Sequence, residues 1–145
     1  MWWLGGATTY RFKGSTTNIA YNALDKQIEL GRGDQIALLA ERNDVGEVAP
    51  HQPASYTYSE LRDEVNQLAN ALSAQGVKQG DRLAIFMAHV PETTVAMLAC
   101  ARIGAVHCVV FGGFSVEALA SRIVDSGAVA VITQVGWWSC VILLA

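Results

Sequence analysis

Three apolar runs of strand length, Leu83 to Met87, Ala105 to Phe111 and Ala128 to Thr133, show no polar alternation and are separated by segments of helical period. A strand that presents neither face to water reads as a continuous apolar run, and such strands belong to parallel sheets covered by helices on both sides. Right-handed crossovers then leave few topologies. The chain is therefore expected to be α/β: a layered, mostly parallel sheet with helices on both faces. With 145 residues, 52% hydrophobic and 16% charged, it is long enough for one core and more apolar than an average soluble domain. No internal repeat or low-complexity segment interrupts it.

The helices between the strands carry their own signals. Leu61, Val65, Leu68 and Leu72 recur at spacings that stack on one face, Thr57 and Glu60 make a capping box, and Gly76 ends the helix. Pro91 and Glu92 open a second helix that runs to Ile103 and ends at Gly104; Ser115 caps a third, which ends at Gly127. Upstream, Asn18 to Glu29 reads as a helix with Ile19, Ala23 and Ile28 on one face and Gly31 beyond its end. Gln35 to Glu41 and Ser55 to Tyr58 read as short strands around a polar loop, Arg42 to Pro53.

Several function classes are disfavoured. A net charge of -3 with scattered Lys and Arg makes no case for nucleic acid. Cys100, Cys108 and Cys140 have neither zinc-ligand nor redox spacing, so a reducing cytoplasmic location is expected. The apolar stretch from Val135 to Ala145 is well short of the roughly 20 residues of a spanning helix, and the start has no signal-peptide pattern, so no membrane role is expected. The pairs Trp2-Trp3 and Trp137-Trp138 look like unpacked ends.

One stretch invites chemistry: Phe111-Gly112-Gly113-Phe114-Ser115 leaves a strand and opens a helix. Ligands of parallel sheets bind beyond the carboxyl ends of the strands, and paired glycines with a helix amino terminus suit a phosphate or nucleotide. The same residues also make an ordinary strand-to-helix turn with Ser115 as N-cap, and both readings stand at this point. No full phosphate loop or dinucleotide fingerprint is present. His107 lies inside an apolar strand and reads as a core or strand-end histidine. His89 precedes Pro91 at the neighbouring junction and could face the site, and His51 falls in the loop. Asp63, Glu64, Glu117 and Asp125 read as solvated helix faces. No nucleophile, catalytic residue or metal set emerges.

The run from Ala96 through Arg102-Ile-Gly-Ala-Val-His107 to Gly112-Gly-Phe-Ser115 resembles the AMP-forming acetyl- and propionyl-CoA synthetases of the adenylate-forming superfamily. Thr17 to Asp25, Tyr56 to Leu61, Gly76 to Arg82 and Val90-Pro-Glu92 resemble that family's opening region in the same order. The resemblance covers residues 13–133, as the amino-terminal part of an AMP-dependent synthetase domain, and leaves 1–12 and an apolar tail, 134–145, unmatched. It implies ATP, CoA and Mg2+ as the full-length family's cofactors and acetate or propionate as its substrate. It also places Phe111, Gly112 and Gly113 against the nucleotide end of CoA.

Ala88 stands where the family usually has proline. The family's arginine-containing loop, lysine-bearing phosphate loop and carboxyl-terminal domain have no match in these residues. The resemblance therefore implies a truncated or frame-shifted synthetase sequence that is inactive alone, with the remainder of the enzyme as its missing partner. The alternatives are a stand-alone nucleotide- or CoA-binding or interaction module without catalysis, or one part of a split enzyme.

Overall fold

Residues 14–41, 54–135 and 139–144 are described by a computed structural model. The loop with His51, both tryptophan pairs and the side chain of Cys140 lie outside what is described.

Strands β3 (Arg82–Met87), β4 (Val106–Phe111) and β5 (Ala130–Val135) form the parallel centre of a sheet ordered β4-β3-β5-β6. Strand β6 (Ser139–Leu144) runs antiparallel to β5. Part of the apolar tail is thus a sheet strand, although an apolar run without turn signals says nothing about which edge it joins.

Helix α2 (Tyr58–Ala74) starts as its sequence dictates. The Thr57 hydroxyl accepts from the Glu60 N–H, and the Glu60 carboxylate accepts from the Thr57 N–H. Leu61, Val65, Ala69 and Leu72 are its buried stripe, and Gly76 takes a φ of 91° just past its end. Helix α3 (Pro91–Arg102) has proline in its first turn and Gly104 beyond its end at φ 74°; helix α4 (Val116–Ser126) is capped by Ser115 and closed by Gly127.

The chain steps from β3 to β4 on one side, then returns past β3 to β5 on the other. Right-handed crossovers therefore place α3 and α4 on opposite faces. Burial agrees. Leu83, Ile85, Met87, Ala130 and Ile132 join the core with α2 and α3. Ala84 and Val110, which point to the other face, are buried outside that cluster.

One expectation is corrected. The first helix is a π-helical turn, Tyr21–Asp25, running into α1 (Lys26–Glu29). It buries Ala20 and Leu24 and leaves Ile19 exposed. Its rotation is set from outside: the Asn18 amide donates to the Ala101 carbonyl at 2.8 Å, and Arg102 donates to Asp25 at 2.7 Å. The two short strands expected upstream form as β1 (Ile36–Ala40) and β2 (Ala54–Thr57), which pair antiparallel as a separate two-stranded sheet.

Candidate functional site

Because α3 and α4 leave neighbouring strands toward opposite faces, the carboxyl ends of β3 and β4 lie side by side at the position where doubly wound sheets bind ligands. One end continues into Ala88-His89-Val90; the other is Phe111 to Ser115.

Gly112 belongs here because the two segments touch. A Cβ on it would lie 3.1 Å from the Met87 carbonyl oxygen and 3.3 Å from the Ala88 nitrogen. Gly113 has a different reason: its Cβ would lie 2.7 Å from Cε1 of Phe111, whose ring covers that backbone. Neither glycine has a positive φ. Backbone packing thus excludes a side chain at Gly112, while at Gly113 the Phe111 ring takes the space.

Phe111 is 51% exposed and Phe114 45% exposed. The Phe111 ring centroid lies 5.4 Å from that of His89, tilted by 41°, and 6.0 Å from that of Phe114, nearly edge-on at 88°. The Arg122 guanidinium sits 4.5 Å from the Phe114 centroid, and its Nη1 donates to the Ala118 carbonyl at 2.9 Å. Together these side chains make an exposed aromatic ledge suited to stacking a planar base.

The amino terminus of α4 is less open to an anion. Ser115 Oγ accepts from the Ala118 N–H, and hydrogen bonds from its own N–H and from Ser115 hold the Glu117 carboxyl below its ordinary range. That carboxylate puts a negative charge at the helix end that an anion would otherwise favour. The described residues thus fit the aromatic end of a nucleotide better than its phosphates.

The structure brings together Phe111, Gly112, Gly113 and His89. It adds Phe114, which lies in the stretch singled out above, and Arg122, which sequence reasoning missed and whose only signal is its place two helical turns beyond an aromatic at a capped helix start. His107 lies four residues back along β4, about 13 Å from Phe111. It is half-buried, and burial lowers its pKa. Asp63, Glu64, Glu117 and Asp125 are exposed.

A groove elsewhere, about 460 Å³, is lined by residues including Leu24, Leu38, Tyr58, Leu61, Thr94 and Leu98. Among the described residues its lining includes no carboxylate, histidine, cysteine or cation. Among the described residues no three His, Cys, Asp or Glu side chains gather as metal ligands, and no helix is long and apolar enough to cross a membrane.

A family model of AMP-binding enzymes matches residues 25–141. The chain belongs to the AMP-binding enzyme family. Curated members similar to it include the acetyl-coenzyme A synthetase of Streptomyces coelicolor, 53% identical over 125 residues that make up 86% of this chain and 18% of that protein. The acetyl-coenzyme A synthetase of Halorhodospira halophila is 54% identical over 85% of this chain and 18% of that protein. The chloroplastic/glyoxysomal synthetase of Arabidopsis thaliana is 52% identical over 84% of this chain and 16% of that protein. Among solved structures, an acyl-CoA synthetase of Brucella canis superposes with a TM-score of 0.70 at 27% identity, covering 81% of this chain and 20% of that one. This member of the AMP-binding family thus spans under a fifth of the length of the curated relatives named here.

Proposed function

We propose that this chain is the segment of an AMP-forming acetyl-CoA synthetase that walls the nucleotide end of CoA with Phe111, Gly112 and Gly113. The supporting observation is identity above 50% to curated acetyl-coenzyme A synthetases over most of the chain. In the parent reaction acetate attacks ATP to give acetyl-AMP and diphosphate, and the CoA thiol then displaces AMP.

This segment's own contribution is positional. Its exposed ring stacks on the base, and a turn packed closely at Gly112 and Gly113 presents that ring. Magnesium, when bound in the parent enzyme, neutralises phosphate charge, and no step of this segment is routed through it. The location is cytoplasmic in this reading, and the partners are small molecules and the rest of the synthetase.

The 145 residues contain no Ser/Thr/Gly-rich loop followed by a lysine to stabilise the transferring phosphate. The chain alone is therefore inactive. Purified protein incubated with acetate, ATP, magnesium and CoA should release AMP at the rate of a protein-free blank. AMP release well above that blank contradicts the reading. CoA binding without AMP release by a monodisperse, cooperatively melting protein would instead fit a stand-alone binding module.

A further inference from the structure

We infer that Phe114 and Arg122 are positioning residues that hold the Phe111 ring in its stacking orientation, and that Arg122 is not a phosphate ligand. The inference rests on the CoA reading above and deepens it. A half-exposed phenylalanine on a turn is free to change rotamer unless its neighbours restrain it. Phe111 has three restraints: the Gly113 backbone beneath it, His89 at 5.4 Å and Phe114 at 6.0 Å.

Phe114 is itself a turn residue and needs its own anchor. Arg122 supplies one, with its guanidinium 4.5 Å from the ring centroid and its Nη1 held by the Ala118 carbonyl one helical turn earlier. That double engagement ties the first two turns of α4 to the ledge and directs the cation at a π face. The Glu117 carboxylate at the start of the same helix, kept ionised by its hydrogen bonds, further disfavours a phosphate there.

The two roles for Arg122 separate in a ligand comparison. Affinities of CoA and 3′-dephospho-CoA are measured by calorimetry for the wild type and for R122M, R122K, F114A and F114A/R122M, with thermal melts to verify folding. R122M should weaken both ligands equally, by about threefold. R122K should recover part of that loss, and R122M should add nothing in the F114A background. A loss confined to the 3′-phosphorylated ligand would make Arg122 a phosphate contact and overturn the inference. So would unchanged affinity, or a full R122M effect persisting in F114A.

If the wild type binds neither ligand, the CoA reading itself fails. The brace is then tested by the Phe111 ring-proton shifts. A change in R122M supports it, and identical shifts in wild type and R122M overturn it.

Discussion

Gly112 and Gly113 are neighbours in one turn, yet they exclude a side chain for different reasons. At Gly112 the obstacle is backbone of Met87 and Ala88, at 3.1 to 3.3 Å, which cannot swing aside. Gly112→Ala should therefore lower stability by about 1–3 kcal/mol, measured by urea unfolding. At Gly113 the obstacle is the far edge of the Phe111 ring, at 2.7 Å, and a ring can rotate. Gly113→Ala should leave stability within about 0.5 kcal/mol of wild type while displacing the ring and weakening CoA binding. A large stability loss for Gly113→Ala with intact binding would contradict this division. The glycine pair was legible in the sequence, as was the choice between a turn and a ligand site. That Phe111 would fold over Gly113, and that Arg122 would reach back across two helical turns to Phe114, was not. Those contacts depend on rotamers, which residue spacing does not specify.

At the scale of elements, helix boundaries were the most legible feature, because caps act within four residues. The Thr57–Glu60 box is a case in point. The Glu60 carboxylate accepts from the Thr57 backbone N–H at 2.8 Å and from its hydroxyl at 2.9 Å, which lowers its pKa below the ordinary value of 4.5. A carboxyl whose folded pKa is depressed contributes stability above its unfolded pKa and loses it as pH falls through the folded value. Thr57→Ala should cost about 1 kcal/mol near neutral pH. Glu60→Gln should flatten the acid limb of the stability profile below pH 4.5, measured by thermal melts across pH. An unchanged acid limb would count against the box. The rotation of the first helix was not legible, because Asn18 and Asp25 set it by reaching Ala101 and Arg102, more than seventy residues away. The pairing of β1 with β2 and of β5 with β6 escaped for the same reason: strand runs were visible, but partners were not.

For the whole molecule, the parallel α/β class followed from unalternated strands between capped helices, and the core on the α2/α3 face bears it out. Cys100 gives a probe of that core. It is fully buried, and desolvation raises its thiol pKa to about 11. Iodoacetamide at pH 8 should therefore modify it only as fast as the fold opens, measured by peptide mass spectrometry. Rapid labelling in native buffer would mean that the α2/α3 face is not closed. On the opposite face Val106 of β4 is exposed, as are Val116 and Val124 of α4. If the ledge between the ends of β3 and β4 receives the nucleotide end of CoA, as proposed above, amide chemical shifts followed during a CoA titration should report it. Saturable shifts concentrated at Ala88 to Val90 and Phe111 to Ser115 are expected. Shifts centred on the groove beside Leu24, Leu38 and Leu98, or no saturable shifts, would contradict it.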